Sequence, residues 1–356
     1  MKPRVVILSA FATPLRSGAE ACAEEVGLAM LERYDVILVT ARLLRSSSKR
    51  DLLHGRLPVR RIGLGLPIDK WLFPLLAPFV VRALRPRLVH AVLESYAGLA
   101  MILTSWTYPH AKRLLTCQST NTSLLLGWMH RSADRVTAIS SVLVRRALGY
   151  GRKDVLRIPN GVHVGMYAHE RARERRVPGC ILFVGRLERM KGVDVLIDAF
   201  RLLASEFPHA HLRIVGSGSL RRTLERRAAD LAATGRITFA GYLPADAVAA
   251  EFARAPIFCA LSRSEALGNV FLEAQAAGCA VVASRTGGIP DIVVEGQTGL
   301  LIPPNHPQEA ADALRLLLRK NDLTDRLGKA GADHARKFDW SRITAEYGRV
   351  YDELCS

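Results

Sequence analysis

The chain has 356 residues, 49% of them hydrophobic, and a formal net charge of +17. That length exceeds one ordinary core and fits two domains, and the apolar fraction, without low-complexity tracts, excludes a disordered chain. The charge is uneven: residues 1–165 hold 24 Lys and Arg against 10 Asp and Glu, the remainder 26 against 23. The basic first half points to an anionic partner, whether nucleic acid, lipid or substrate. A GC-rich genome would explain many arginines but not their asymmetry. Six cysteines are scattered without a C-x-x-C pair, which fits a reducing cytosol better than a disulfide framework or a zinc site. His209-Ala-His211 reads as a loop leading into a strand, and no D-x-D motif is present to hold a metal–nucleotide complex. The apolar run after Met1-Lys2-Pro3-Arg4 is too short for a signal peptide, and no run reaches the ~18 apolar residues that span a bilayer. The expected location is the cytoplasm, peripheral on the inner membrane face.

In chain order, Val5–Ala10 reads as a buried strand, followed by a loop at Thr13–Glu20 and a helix over about Glu20–Arg33. Asp35–Thr40 completes a βαβ unit, with Gly18 at the carboxyl end of its first strand, where open α/β sheets bind ligands. Residues 41–65 read as a mobile basic excursion. Leu66–Arg87 interleaves Trp71, Phe73, Leu75, Leu76 and Phe79 with Lys70, Arg82, Arg85 and Arg87. Aromatics with flanking cations suit a membrane-surface helix. An internal helix packed on the sheet is the other reading, and the prolines of this stretch argue against a regular surface helix. Three more strands follow at Arg87–Val92, Arg113–Gln118 and Arg135–Ser140, with Ser140-Ser141 capping a helix over Val142–Leu148. A last strand, Val155–Pro159, closes on Asn160-Gly161. The half therefore holds about six strands alternating with helices.

Residues 164–178 are polar and weakly patterned and read as a linker between domains 1–163 and 179–338. A second βα series follows: Gly179–Val184 strand, Gly185–Gly192 loop, Val193–Glu206 helix, His211–Val215 strand, Gly216-Ser217-Gly218, and a basic helix Leu220–Ala233. Arg236–Ala240 is a strand before Gly241-Tyr242, and Ile257–Leu261 leads into Ser264–Gly278. Ala280–Ser284 and Gly299–Ile302 are strands, and 307–319 and 322–337 helices. Residues 339–356 form a final helix carrying Trp340, Ile343, Tyr347, Val350 and Tyr351, which could return to the first domain. Two doubly wound domains are the natural architecture.

Two stretches carry chemistry. The Gly185–Gly192 loop follows a strand and enters a helix, with Arg186 and Lys191 as two cations beside a helix N-terminus, a setting for phosphate. Solvated surface charge is the plain alternative. In Ser264–Gly278, Gly268 and Asn269 open a helix whose first N–H groups make an anion site. Glu265 and Glu273 flank it, ready to hold hydroxyls on either side of a diphosphate. Together they fit a sugar nucleotide. In the first half, His90 and Glu94 stand at the end of one strand, and Gln118 ends another before a polar loop that holds Asn121; His90 reads equally as a satisfied core histidine.

The motifs Phe183–Asp194, Ile214–Gly218, Ser264–Ala274, Gly287–Val293 and Gly296–Pro303, with Ile158–Val162 and Pro14–Glu20, resemble those of the retaining glycosyltransferases of the GT-B fold, family four. The resemblance is dense in the second half and sparse in the first. It implies α/β GT-B architecture, two doubly wound Rossmann-like domains facing across a cleft. It implies that Arg186 and Lys191 hold the donor diphosphate, Glu265 the transferred sugar and Glu273 the ribose. Backbone at Asn269 and Val270, with Gly18, would meet phosphate, the glycines 185, 216 and 268 would line the donor, and Tyr242 would face the base. Catalysis would fall to Arg186, Lys191 and Glu265, without metal or cofactor, on a UDP- or GDP-sugar. The acceptor would be a glycan or lipid-linked molecule of envelope or polysaccharide biosynthesis, and an anionic membrane surface is a candidate partner. Two positions depart from the family: Gln118 stands where a histidine is usual, and His163 where an aspartate is; on the acceptor side the resemblance then leaves His90, Glu94, Gln118 and Asn121 as candidates.

Other readings have less support. A sugar-nucleotide epimerase or a phosphorylase would share much of the donor site. A nucleic-acid binder is disfavoured, because the basic stretches lack stacking aromatics in a recognisable RNA module. A non-catalytic sugar-binding relative is disfavoured by the full set Arg186, Lys191, Glu265 and Glu273.

Overall fold

The computed structural model describes residues 2–15, 17–167 and 176–356. The chain divides into two compact units: residues up to Asn160 with Trp340–Ser356, and Gly161–Asp339.

In the first unit the strands are β1 (Arg4–Leu8), β2 (Asp35–Ala41), β3 (Arg50–Leu53), β4 (Leu57–Ile62), β5 (Leu88–Val92), β6 (Lys112–Cys117), β7 (Arg135–Ala138) and β8 (Val155–Arg157). They form one sheet in the order β3-β4-β2-β1-β5-β6-β7-β8, parallel except for the β3–β4 hairpin. The central strands are short apolar runs because helices cover both faces of a parallel sheet. Those helices are α1 (Gly18–Met30), α2 (Asp69–Leu84), α3 (Tyr96–Thr107), α4 (Leu126–Ser132) and α5 (Ser141–Gly149).

The last helix of the chain, Trp340–Cys355, also lies in this unit. It buries Trp340, Ile343, Tyr347 and Tyr351 in a core shared with Val5, Ile7, Cys22, Val26 and Leu38. Its polar edge is tied down as well: Asp352 accepts from Arg33 Nη2 and Tyr34 Oη, each at 2.5 Å, and Glu353 pairs with Arg135.

The second unit has strands β9 (Cys180–Val184), β10 (His211–Val215), β11 (Ile237–Gly241), β12 (Ile257–Ala260), β13 (Ala280–Ser284) and β14 (Gly299–Ile302). Their order is β11-β10-β9-β12-β13-β14, all parallel. Its helices are α6 (Val164–Tyr167), α7 (Val193–Leu203), α8 (Arg221–Arg227), α9 (Ala229–Ala233), α10 (Ala245–Arg254), α11 (Asn269–Ala276), α12 (Pro307–Arg319) and α13 (Asn321–Ala335), and the Trp340–Cys355 helix is α14. Both units are thus doubly wound and Rossmann-like. In each, the strand order reverses at one point: between β1 and β5 in the first unit, and between β9 and β12 in the second. Open sheets of this type bind ligands at the carboxyl ends of those strands.

Several expectations change. Residues 41–65 are not a mobile excursion. They contain the β3–β4 hairpin, in which Leu57, Val59 and Arg61 alternate inward. Arg61 is tolerated inside because Asp51 pairs with it at 3.1 Å. The hairpin and the remaining strands bring this sheet to eight, not six. The segment with prolines is a continuous helix, α2. Pro74 and Pro78, four residues apart, are both buried, so their missing N–H groups fall on the inward side. Ser140 stands at the N-cap of α5, but its buried hydroxyl makes no capping bond; its backbone carbonyl accepts from Leu143 and Val144 instead. Residues 164–167 are not linker but α6, anchored where Tyr167 packs edge-on against Phe252. Of the proposed 164–178 linker, residues 168–175 lie outside the described residues. The basic helix over 220–233 is two short ones, parted at Ala228. All six cysteines are free.

Candidate active site

The loop after β9 and the loop after β12 meet at the strand-order reversal of the second unit. In the first of these loops, Gly185 donates its N–H to Val215 O at 3.0 Å, and Leu187, fully buried, pins the loop by donating to Ser217 O at 2.8 Å. Arg186, between them, projects into solvent, and Lys191 ends a 3-10 turn, Arg189–Lys191. Gly192 then opens α7 in the left-handed region at φ 64°, where a Cβ would stand 1.9 Å from Leu261 O. Only glycine lets the two loops lie this close. Gly216 serves the same purpose after β10, since a Cβ there would meet Gly185 O at 1.9 Å.

In the second loop, Glu265 reaches back to the first. Its Oε2 lies 2.5 Å from Lys191 Nζ, and both side chains are mostly shielded from solvent. A charge-assisted bond of this length fixes both groups. The Glu265 carbonyl accepts from Gly288 N at 3.1 Å, so the Thr286–Ile289 turn braces it from behind. Gly268, at φ 94°, is the N-cap of α11, with Asn269 and Val270 as its first helical residues. The leading N–H groups of a helix face out of its N-terminus and favour an anion. Glu273 lies one turn further along α11 and is partly buried. Tyr242, just past β11, is 80% exposed. The structure thus brings Arg186, Lys191, Glu265 and the α11 N-terminus to one end of one sheet.

Sequence reasoning missed one residue of this group, Arg263. Its guanidinium donates to Arg189 O at 2.6 Å, to Asn305 Oδ1 at 2.6 Å, and to both oxygens of Asp194 at 2.9 and 2.7 Å. It ties the turn carrying Lys191 to the strand end carrying Glu265. Burial works against a charged Asp194, yet the bond from Arg263 holds its carboxyl below the usual range. The only sequence signal was an arginine two positions before Glu265.

The acceptor-side candidates of the first unit fare differently. Gly18 opens α1 at the strand-order reversal; the loop before it hangs on Glu24, which accepts from Thr13 N at 2.8 Å, and on Glu20, which accepts from Ser17 N at 2.8 Å. Arg16 of that loop lies outside the described residues. His90 is fully buried, bonded through Nδ1 to Tyr351 Oη at 2.8 Å and through Nε2 to Thr116 Oγ1 at 2.7 Å. Burial pushes its pKa down to about 3, so it stays neutral. It is a core residue, enclosed by α14, and leaves the candidate site. Glu94 is also buried, paired with Arg146 and accepting from Gln118 N at 2.8 Å. Gln118 and Asn160 exchange two amide bonds of 2.9 Å, and Asn160 also reaches Gly18 O at 3.4 Å. Asn121 is exposed, its carbonyl accepting from Arg146 at 3.0 Å. Glu94, Cys117 and His130 place ligand atoms within 4.8 Å of one another, but Arg146 already supplies the cation beside that carboxylate.

Comparison with known proteins follows the same division. Residues 169–334 match the family model described as glycosyl transferases group 1, and residues 16–165 that described as glycosyltransferase family 4. D-inositol 3-phosphate glycosyltransferase of Corynebacterium glutamicum is 36% identical over 179 residues, 49% of this chain and 43% of that protein. Phosphatidyl-myo-inositol mannosyltransferase of Mycobacterium leprae is 33% identical over 237 residues, 65% of this chain and 62% of that one. These matches therefore span about half of the relatives' length. Among solved structures, sucrose-phosphate synthase of Thermosynechococcus elongatus superposes with a TM-score of 0.85 at 22% identity over 99% of both chains, a likeness of fold. With two family models covering residues 16–165 and 169–334 on this doubly wound architecture, the chain belongs to the family-four, group 1 glycosyltransferases of the GT-B fold.

Proposed function

We propose that the protein transfers a sugar from a nucleotide-diphosphate sugar, UDP- or GDP-linked, to an acceptor hydroxyl with retention of anomeric configuration. The observation that carries the reading is the Lys191–Glu265 bond at the strand-order reversal, with Arg186 on the same loop and the α11 N-terminus beside it. A bound donor would lay its diphosphate against Arg186, Lys191 and the N–H groups of Asn269 and Val270. Charge that develops on the leaving phosphate would meet fixed cations and dipoles, which need no reorganisation as the bond breaks. These protein cations would do what a metal does in other transferases. Glu265 would be released from Lys191 in part and turn to the sugar hydroxyls; Glu273 would hold the ribose. The glycines 185, 216 and 268 would let donor and backbone approach closely, and Tyr242 would border the base. The acceptor hydroxyl would attack from the face the leaving group vacates, its proton passing to the departing phosphate.

For the acceptor, the names of the two relatives offer inositol phosphate and phosphatidylinositol as chemical types. A glycan or lipid-linked acceptor in envelope or polysaccharide biosynthesis is consistent with both, and so is a protein peripheral on the inner membrane face. On the first unit, Gly18 and the exposed Asn121 remain the candidates to meet the acceptor or the donor phosphate. Glu94 and Gln118 would shape that side from within rather than touch substrate. The test is a thermal-shift series with UDP-, GDP- and ADP-sugars. One class should raise the melting temperature, by the equivalent of about 2.7 kcal/mol at a hundredfold excess over Kd. No shift with any of them contradicts the reading, and product analysis with a labelled donor separates transfer from epimerisation.

A further inference from the structure

Residues 64–133 of the first unit hold seven Lys and Arg but only two acidic residues, Asp69 and Glu94, and both of these are buried. Asp69 is spent on the turn before α2, accepting from Gly65 N at 2.6 Å and Leu66 N at 3.1 Å. The exposed charged side chains of the stretch are therefore all cations, although Asp134, the residue that follows it, is exposed and pairs with Arg113 at 3.3 Å. The stretch is also unusually apolar. Of the twenty exposed large apolar side chains among the described residues, ten fall between Leu64 and Trp128, including three of the four tryptophans.

Helix α2 shows how the two properties combine. Phe73, Ala77, Val81 and Leu84 turn inward. Ile68, Trp71, Leu75, Leu76 and Phe79 form the opposite side, with Trp71 63% and Phe79 67% exposed. A core helix has one apolar stripe; this one has a second, facing outward. Lys70 lies by the Trp71 ring at 6.0 Å, and exposed Arg82, Arg85 and Arg87 follow at the far end of the helix. At the near end, Trp71 packs edge-on against Tyr96 at 5.1 Å, and Tyr96 against Phe11 at 6.3 Å. Phe11 follows β1 and Tyr96 begins α3 just after β5, so the apolar side of α2 runs into the strand-order reversal of this unit.

We infer that the outward side of α2 docks on an anionic phospholipid bilayer, setting the carboxyl ends of β1 and β5 beside the headgroups. Aromatic and aliphatic side chains would enter the interface, and the arginines would meet lipid phosphates. From Lys70 to Arg87, along α2 and past its end, there is no acidic residue; a protein partner needs no such exclusion, whereas a negative surface rewards it. The partner follows from charge complementarity alone. The further consequence, that the acceptor is held in the bilayer rather than free in solution, rests on the proposed transfer activity.

The experiment is co-sedimentation of the full chain with phosphatidylcholine vesicles, with and without phosphatidylglycerol. The wild-type chain should pellet with the anionic vesicles, less so as salt rises. Leu75→Glu and Phe79→Glu should each weaken binding by at least about tenfold, with unchanged melting temperature because both side chains are already in solvent. Arg82→Glu with Arg85→Glu should weaken it on anionic vesicles alone. Absence of wild-type binding, or equal binding by the apolar variants, overturns the inference. So does a variant that dissolves a self-associated form without changing vesicle binding. The nucleotide-sugar thermal shift, read on the same variants, should stay intact. Its failure would count against the transfer reading while leaving the docking surface standing.

Discussion

The two units share an architecture and use it differently. In the second, the loops at the strand-order reversal present Arg186 to solvent and hold Lys191 and Glu265 against each other, at the mouth of a helix. In the first, the polar groups at the equivalent place are consumed internally: His90 by Tyr351 and Thr116, Glu94 by Arg146 and the Gln118 backbone, Gln118 by Asn160. The difference is access: Arg186 stands in solvent and the Lys191 side chain keeps part of its surface exposed, whereas His90, Glu94 and Gln118 are buried. The second unit keeps its chemistry at a strand end, and the first places its distinctive surface on the outside of α2.

That contrast can be broken by mutation. If the polar groups of the first unit are structural, removing one should cost stability. Arg146→Ala leaves the Glu94 carboxylate buried without its cation, and should destabilise the protein by about 3–5 kcal/mol. Urea unfolding checks it; a change under about 1 kcal/mol would mean that Glu94 relaxes to solvent and is available to substrate.

A smaller effect should follow from His90. Its folded pKa, near 3, lies below the unfolded value of about 6.5. The unfolded chain therefore takes up the proton first, and stability present above pH 6.5 is lost progressively as pH falls toward 3, by a few kcal/mol in total. The full cost is not reached at pH 5, where about 2 kcal/mol is expected. Melting curves of His90→Asn against wild type should converge as pH falls. Parallel curves would show that His90 does not carry the acid sensitivity.

Much of the second unit was legible in the sequence because its elements are local and strongly marked. The strands His211–Val215, Ala280–Ser284 and Gly299–Ile302 stand where their apolar runs put them, and glycines announce the turns. The bond between Lys191 and Glu265 was not legible, since it joins residues 74 apart and depends on strand order. Nor was the role of Arg263, whose four acceptors come from three different segments. The first unit hid more. The β3–β4 hairpin has only Leu57 and Val59 as a clear inward pair, surrounded by arginines and serines that read as loop. The fate of His90 was decided by Tyr351, 261 residues away, which no local pattern reveals. Prolines counted against α2, yet both sit on the side that packing supports.

The proposed donor site requires Lys191 to act on the donor and not only to hold Glu265. The most direct measurement is sugar release from the donor that gives a thermal shift, comparing Lys191→Ala with wild type. Lys191→Ala also leaves the mostly shielded Glu265 carboxylate without its cation, so the melting temperature should fall, and turnover is compared at a temperature where both proteins are fully folded. Turnover should fall by about 10²–10³-fold, the usual loss when one fixed charge-stabilising group is removed. Near-normal turnover in a stably folded Lys191→Ala protein would contradict the claim.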